Sequence, residues 1–568
     1  MSARSERWVL VALFLASLAW NALGIERLLP YDPEPDNYCA VQVQELEARV
    51  PVEERMDKFR SYPLGLAALA RALPRFEAAP SAPKAEHLRA ASDVSLRVRL
   101  VAVLLSSLLA PATFLFARRF LPPWGALAAA LFAATSLLDQ LFAAQGRPHG
   151  PLVALAVLSV VATLRLLRGP SLGAYALVGV AIAAATSTLQ TGVFGLVPLV
   201  VAHRWILRER RLARVRAWGG LALAFALVVL AYVVTRADGP SLASESGVRG
   251  TSLRIGSHYF EATLLNGRGF LDFLQELWMH DPVLLVLGLA GVLLALPTWK
   301  RWYADPETCV AGSYALVYLG LWGFYGWTYD RYWLPLVPFL AFLTARVLVV
   351  AVERLRPRES ALRRVVASAL VLAAFALPTW ASIAFARLRV APDTIEEAAA
   401  WLEREADPAA GRIAVTPQLN VPVWYTERAL REPDVPKLTG AWMRYQRGHA
   451  LDDARTPRFD LVNLPTTLAA QEKHPDAAAL VAWMDAVDPA YVVYEATLWN
   501  RDLEVVQMLY ARMRDRGYEL VHASPELGAG YLNRRTDLYQ RVLGCLRRVL
   551  TLDRLGSRIE IWRAPPRN

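Results

Sequence analysis

Long apolar runs constrain this sequence more than any other feature. Eleven of them approach the roughly 20 residues that an α-helix needs to cross a bilayer. They fall at 8–24, 97–117, 123–143, 151–167, 172–188, 191–206, 217–235, 281–297, 309–327, 332–352 and 364–386. The chain is 55% hydrophobic over 568 residues, with a mean hydropathy of +0.28, which is too apolar for a soluble enzyme. The sequence therefore predicts a mainly α, polytopic membrane protein with about 11 transmembrane helices.

Basic residues between the runs predict the orientation of the chain. If the N-terminus is cytoplasmic, every short arginine-rich segment falls on the cytoplasmic side, including the run at 203–216. The net charge of +11 then reflects topology signals, and we expect no nucleic-acid partner. The first apolar run precedes ten others, so we expect a retained anchor and not a cleaved signal peptide. The expected location is the bilayer of the cell (inner) membrane.

This orientation divides the chain into two predicted domains. Residues 1–387 form a transmembrane domain with extracytoplasmic loops at 25–96 and 236–280. Residues 388–568 follow the last apolar run, so they are expected on the extracytoplasmic side.

The C-terminal segment has the pattern of a small α/β domain. Asp393-Thr-Ile-Glu396 resembles a capping box and predicts the start of a helix. The β-branched run at 413–416 and the apolar pieces at 490–494 and 558–562 predict strands. Because the segment contains none of the familiar catalytic motifs, we expect a folded cap without chemistry of its own.

Three carboxylates follow the first apolar run in the loop Tyr31-Asp-Pro-Glu-Pro-Asp-Asn-Tyr38. They are Asp32, Glu34 and Asp36. Acids at the edge of a membrane are costly unless they hold a cation or move a proton, so this loop predicts chemistry. The alternative is a set of solvated turn residues in a proline-rich loop.

Further polar and aromatic groups fall at the same expected side of the membrane. They are Tyr62 in a Tyr-Pro-Leu segment, Asp139 near the end of the third run, Arg147 and His149 before the fourth, and Asp330, Arg331 and Tyr332 before the tenth. Arg331 has a plainer alternative role, which is pairing with Asp330 or anchoring a helix end. The aromatic residues around it fit an interfacial belt better than a sugar-stacking surface.

Together these segments resemble the polytopic GT-C glycosyltransferases, in particular the bacterial relatives of protein O-mannosyltransferases and of the lipid A aminoarabinose transferase. The resemblance rests on the acidic loop with Asp36 and Tyr38, the Tyr62-Pro-Leu segment, the arginine-containing turn before the fourth run, and the phrase Asp330-Arg-Tyr-Trp-Leu-Pro. It extends over most of residues 8–390, and the order of the motifs gives it weight.

The resemblance implies transfer of a sugar from a polyprenyl-phosphate donor to an acceptor hydroxyl on a glycan, a lipid or a protein, at the outer face of the membrane. Such a reaction needs a base for the hydroxyl proton and cations for the departing phosphate. We therefore assign Asp36 as the catalytic base and Arg331 as a phosphate ligand. The remaining substrate-binding candidates are Asp32, Glu34, Tyr38, Tyr62, Asp139, Arg147, His149, Asp330 and Tyr332.

Two departures from the family pattern affect these assignments. Asn37 follows Asp36 where relatives commonly have Glu, and His149 stands where many have Asp or Tyr. A second acid must then be Asp139 or be absent. The resemblance leaves a divalent cation open as a cofactor, although the ligand spacing does not by itself predict one.

Two other functions are compatible with a protein of this class. A transporter or flippase of lipid-linked sugars would carry charged residues at mid-membrane depth and broken helices in two matching halves. The acids of this chain lie instead at the ends of apolar runs, which favours an enzyme. A non-catalytic assembly protein of cell-envelope glycan synthesis is the third possibility.

Overall fold

A computed structural model of the chain describes most of its residues. The described residues are 2–27, 29, 37–50, 62–235, 252–255, 258–298, 300, 304–326, 328–355, 360–416, 419–431, 441–449, 457–464, 477–496, 504–524, 545–554, 556 and 558–566.

The first two thirds of the chain are helical. The helices are α1 (Ala3–Ala22), α2 (Asn37–Glu47), α3 (Gly65–Arg71), α4 (Lys84–Ala91), α5 (Asp93–Ser106), α6 (Leu109–Ala117), α7 (Pro123–Ala134), α8 (Leu137–Ala143), α9 (His149–Arg168), α10 (Leu172–Thr188), α11 (Leu196–Arg208), α12 (Arg214–Thr235), α13 (Arg268–His280), α14 (Pro282–Ala295), α15 (Pro306–Phe324), α16 (Val337–Leu355) and α17 (Ala361–Val390). A short antiparallel pair, β1 (Ser252–Ile255) and β2 (His258–Glu261), precedes α13.

The last third mixes helices and strands. Its helices are α18 (Thr394–Glu405), α19 (Glu427–Arg431), α20 (Ala441–Gly448), α21 (Ala477–Val487), α22 (Glu504–Asp515) and α23 (Cys545–Thr551). Its strands are β3 (Ile413–Val415), β4 (Trp424–Tyr425), β5 (Arg458–Phe459), β6 (Leu461–Asn463), β7 (Tyr491–Ala496), β8 (Glu519–Ala523) and β9 (Arg558–Arg563).

The apolar runs form helices, as the sequence predicts, and the chain is a multi-pass membrane protein. Among the described residues, six helices are long and apolar enough to cross a membrane, or seven if α7 and α8 make one broken span. The apolar helices α10 and α14 are shorter. The count of about 11 spans stays a prediction.

The third predicted span is bent. α7 ends at Ala134 and α8 begins at Leu137, and their axes differ by 59°. Ser136 caps the N-terminus of α8 by accepting a hydrogen bond from the Asp139 backbone N–H at 3.3 Å. Because a serine before a helix offers its hydroxyl to the first free N–H groups, it permits a new helix to start here in place of a continuous one.

Two arginines bind backbone carbonyls at the end of α1 and in the residues that follow it. Arg389, near the end of α17, donates to the Trp20 carbonyl at 2.7 Å, and Arg99 of α5 donates to the carbonyls of Ile25 and Arg27 at 2.8 and 2.7 Å. Gly24 lies so close to α17 that a Cβ on it would sit 2.1 Å from the Arg389 carbonyl oxygen, and its φ of +62° also favours glycine.

A five-stranded mixed sheet organises the C-terminal region, in the order β6-β3-β7-β9-β8. β3 pairs in parallel with β6 and β7, whereas β9 pairs antiparallel with β7 and β8. Successive residues point to opposite faces, so Ile413 and Val415 join one apolar cluster and Ala414 joins another. The strands predicted at 490–494 and 558–562, and the capping box of Asp393 and Glu396, are confirmed.

The C-terminal region contacts the helical region at two described places. His87 of α4 is buried and its Nδ1 lies 2.8 Å from the Tyr445 hydroxyl of α20. α23 packs against α13 and α17, and its Cys545 and Val549 belong to the largest apolar cluster of the helical bundle. The segment assigned to a separate cap by sequence is therefore joined to the helices through side chains from both.

Candidate active site

Arg331 lies on a short turn between α15 and α16. This turn, Asp330–Tyr332, is a single 3₁₀ turn, followed by a second at Leu334–Leu336. The Arg331 backbone N–H donates to the Asp330 carboxylate at 2.7 Å. This bond involves the main chain of Arg331, so the alternative that its guanidinium pairs with Asp330 stays a prediction.

Two aromatic rings contact the guanidinium of Arg331. Its central carbon lies 4.3 Å from the centre of the Tyr329 ring and 5.5 Å from that of Tyr332. A cation over an aromatic ring is attracted by the negative face of the ring. Because the N–H donors of a guanidinium lie around its edge, contact through its face leaves a geometry suited to binding an anion at the edge.

Tyr62 brings distant segments together at this turn. Its ring centre lies 5.4 Å from that of Tyr38 and 5.7 Å from the imidazole of His149, and its carbonyl accepts a hydrogen bond from Gln42 at 2.8 Å. Burial raises the pKa of the Tyr62 phenol, while the positive charges of Arg331 and Arg147 act on the same pKa in the opposite sense. The phenol therefore stays protonated near neutral pH.

Seven of the residues singled out from sequence consequently form one group, which we call the Tyr62 cluster. Its members are Tyr38, Tyr62, Arg147, His149, Asp330, Arg331 and Tyr332. They come from four separate stretches of chain. Two guanidiniums beside phenol and imidazole groups can bind a phosphate and donate hydrogen bonds to it.

Asp139 has different neighbours from those of the Tyr62 cluster. It is buried on α8, where it interacts electrostatically with Asp281 and where its backbone N–H bonds Ser136. Its predicted role as a second acid of the site stays a prediction. Asp32, Glu34 and Asp36 lie outside the described residues, so their assigned roles also stay predictions.

Helix α13 supports the turn of Arg331. The sequence did not predict this helix, because residues 236–280 were expected to form a polar loop. Asp272 accepts a hydrogen bond from the Thr328 hydroxyl at 2.9 Å, and the ring of Phe273 lies 5.1 Å from that of Trp333. Asp272, Glu276 and His280 follow one another at intervals of four residues on this helix. That spacing places them on one face and was the available signal.

The described residues contain no group of three or more His, Cys, Asp or Glu side chains that could hold a metal ion. The acidic loop that contains Asp32, Glu34 and Asp36 lies outside these residues.

A comparison with family models gives a match over part of the chain. Residues 88–233 match the family described as dolichyl-phosphate-mannose-protein mannosyltransferase. This match agrees with the resemblance to glycosyltransferases of the mannosyltransferase type seen in the sequence. The matched residues include Asp139, Arg147 and His149, whereas the acidic loop and the turn of Arg331 lie outside them.

Solved structures with similar chain courses include those of two proteins. ArnT from Cupriavidus metallidurans bound to undecaprenyl phosphate is 14% identical, with all of both chains covered and a TM-score of 0.47. The Archaeoglobus fulgidus oligosaccharyltransferase tethered with an acceptor peptide is 11% identical over 86% of this chain and 69% of that one, with a TM-score of 0.46. No curated protein sequence gives a significant match.

Proposed function

We propose that this protein is a membrane glycosyltransferase that moves a sugar from a polyprenyl-phosphate donor to an acceptor hydroxyl. The observation that carries the proposal is the Tyr62 cluster, in which Tyr38 and His149 contact the Tyr62 ring and Arg147 and Arg331 act electrostatically on its phenol. The description of the matching family, which names a dolichyl-phosphate-linked mannose, supports a lipid-phosphate donor.

The two guanidiniums suit the leaving group of this reaction. When the acceptor oxygen attacks the anomeric carbon, the bond from that carbon to the phosphate oxygen breaks, and its electron pair stays on the phosphate. Cations placed in advance where this charge develops lower the barrier. Arginine is better suited than lysine, because its planar fork can bind two phosphate oxygens at once.

The proton of the acceptor hydroxyl needs a base. Asp36 directly precedes α2, the helix whose second residue is Tyr38 of the Tyr62 cluster. In the proposed reaction Asp36 takes the proton as the new C–O bond forms. We further propose that the site faces the extracytoplasmic side, with the N-terminus in the cytoplasm and residues 388–568 outside.

The first experiment tests the base. Asp36→Asn is expected to lower sugar transfer by about 10²- to 10⁴-fold, the range typical of general-base catalysis, in a protein that still inserts and folds. Transfer is measured with a panel of radiolabelled polyprenyl-phosphate sugars. Glu77→Gln, at an exposed position of the same predicted outer loop, is the control and should affect transfer far less. Normal turnover by Asp36→Asn would reject the assignment.

The second experiment tests the phosphate ligands. Arg331→Ala and Arg147→Ala should raise the KM for the donor more than the KM for the acceptor, because both side chains are assigned to the donor phosphate. Arg268→Ala, at the exposed start of α13, is the control. Unchanged donor dependence in both variants would remove the main support. Movement of lipid-linked sugar across vesicles without any transfer would favour the flippase alternative.

A further inference from the structure

The dipeptide His280–Asp281 joins α13 to α14 and contacts α8, the helix that precedes Arg147 of the Tyr62 cluster. α13 ends at His280 and α14 begins at Pro282, so the dipeptide is the junction of these helices. Both side chains are buried, with 3% and 6% of their surface exposed. Buried polar side chains are retained where their partners satisfy them, so the contacts of each indicate what it does.

Asp281 holds the start of α8. Its carboxylate accepts three hydrogen bonds, from the Ser136 hydroxyl at 2.7 Å and from the backbone N–H groups of Leu137 and Leu138 at 2.8 and 3.1 Å. A carboxylate on the free N–H groups of a helix start is a strong, charge-assisted cap. It fixes α8 after the bend, and α8 ends at Ala143, four residues before Arg147.

His280 ends the helix that supports the turn of the other arginine, since α13 contacts that turn through the Asp272–Thr328 hydrogen bond and the Phe273–Trp333 ring contact. Its Nδ1 lies 2.8 Å from the Glu276 carbonyl oxygen, which can only accept, so Nδ1 carries the proton. The imidazole also interacts electrostatically with Asp330 and Cys545. Asp330 in turn accepts the hydrogen bond from the Arg331 backbone N–H.

One junction thus connects to both cations of the site. Through Asp281 it fixes the helix that leads to Arg147, and through His280 it ends α13, whose Asp272 and Phe273 contact Thr328 and Trp333 on either side of the turn of Arg331. We propose that His280 and Asp281 are positioning residues that set the separation of the two guanidiniums, and thereby the selectivity of the site for a lipid phosphate. This inference rests on the phosphate role given to the arginines under the proposed function.

The proposed positioning predicts a loss of phosphate recognition without a general loss of lipid binding. The probes are undecaprenyl phosphate and undecaprenol, each titrated into the full-length protein in detergent. The phosphate ratio is the dissociation constant of undecaprenol divided by that of undecaprenyl phosphate. It isolates the contribution of the phosphate, because both lipids carry the same isoprenoid chain. Damage to the fold alone weakens binding of both lipids and leaves the ratio near its original value.

The chain offers a matched control for each variant. Asp281→Asn is compared with Asp393→Asn, because Asp393 is also a buried helix cap, accepting from the N–H groups of Ile395 and Glu396. His280→Gln is compared with His203→Gln, because His203 is 4% exposed and its Nδ1 lies 2.8 Å from the hydroxyl of a single side chain, Tyr175.

Asp281→Asn and His280→Gln should each lower the phosphate ratio by about tenfold, since misplacement of a binding group by a fraction of an ångström can cost that much. In Asp281→Asn the amide NH₂ would face N–H donors, so the cap is weakened. Ser136→Ala, which removes one of the three donors to Asp281, should give a smaller decrease and provides a test if Asp281→Asn does not fold. The two controls should leave the ratio unchanged.

Arg331→Ala distinguishes failure of the positioning inference from failure of the proposed function. If it lowers the ratio while Asp281→Asn, Ser136→Ala and His280→Gln do not, the positioning inference is wrong and the proposed function stands. If Arg331→Ala leaves the ratio unchanged, the phosphate role of the arginine fails and the inference fails with it. An equal loss in Asp393→Asn or His203→Gln would also overturn the inference, because position near the site would then be irrelevant.

Discussion

The helical region and the C-terminal region place their charged side chains differently. Around the Tyr62 cluster, acids are buried and accept hydrogen bonds from other elements, as Asp272 and Asp281 do. In the C-terminal region, several ion pairs lie at the surface, such as Arg512 with Asp485 and Arg563 with Glu519.

The difference shows where the fold gives up stability for placement. A buried charge loses its hydration, and its partners recover that loss only with good geometry. A surface ion pair loses little and contributes little. The sheet is held by apolar residues on both faces, whereas the end of the bundle at the Tyr62 cluster contains buried charges that apolar packing would not require. Such concentration is typical of functional sites.

The largest effect should come from breaking a buried ion network of the helical region. Arg97 of α5 is fully buried and bonds Glu47 at 2.8 Å and Asp93 at 2.7 Å. Arg97→Ala is expected to lower the free energy of unfolding by about 3 kcal/mol, because two carboxylates lose their bonds to a buried guanidinium and keep only Arg75 and the Phe76 backbone N–H as partners. Denaturant unfolding in detergent measures this change. A loss below about 1 kcal/mol would show that buried and surface pairs are equivalent here.

A smaller effect is expected at the ring under Arg331. Tyr329→Leu removes the cation–π contact and should raise the KM for a polyprenyl-phosphate donor about fivefold, which corresponds to roughly 1 kcal/mol. Tyr329→Phe keeps the ring and should behave nearly as the original protein. Equal effects of both substitutions would assign the role to the hydroxyl instead of the ring.

The stability of the C-terminal region should depend weakly on pH. Burial lowers the pKa of His522 on β8, and the charges of Arg554 and Arg404 lower it further against an opposing effect of Glu397. The unfolded chain, with a histidine pKa of about 6.5, then binds the proton more readily than the folded one. Stability is therefore full above pH of about 7 and falls as the pH drops through about 6.5 towards the lower folded pKa.

His522→Gln should reduce this pH dependence. The measurement compares unfolding midpoints of the original protein and the variant at pH 8 and pH 5.5. The difference between the two midpoints should be smaller in the variant. Identical differences in both proteins would contradict a contribution from the half-buried imidazole.

The smallest effect is expected at the surface of the C-terminal region. Arg512→Ala breaks the pair with Asp485, which is partly exposed on both sides. The unfolding midpoint should stay within experimental error, and added salt should make no further difference. A clear destabilisation would remove the contrast between the two regions.

Particular elements show how far the sequence could predict this molecule. The apolar runs, the capping box at Asp393 and the strands at 490–494 and 558–562 were predictable, because period and capping chemistry are local properties. The bend between α7 and α8 was not, since the run at 123–143 is apolar throughout and its N-cap, Ser136, is held by a carboxylate from far along the chain. The supporting role of α13 was missed for the same reason.

The sequence by itself determined that the chain crosses membranes, which of its segments form helices, and which polar residues needed an explanation. It also carried the family resemblance, because motif order is a one-dimensional property. Only the tertiary structure decided that Tyr38, Tyr62, Arg147, His149 and the turn at Asp330–Tyr332 meet, and that Asp139 lies beside Asp281. Contacts between residues hundreds of positions apart depend on how helices pack, and packing is set by the shapes of whole surfaces, which no local pattern encodes.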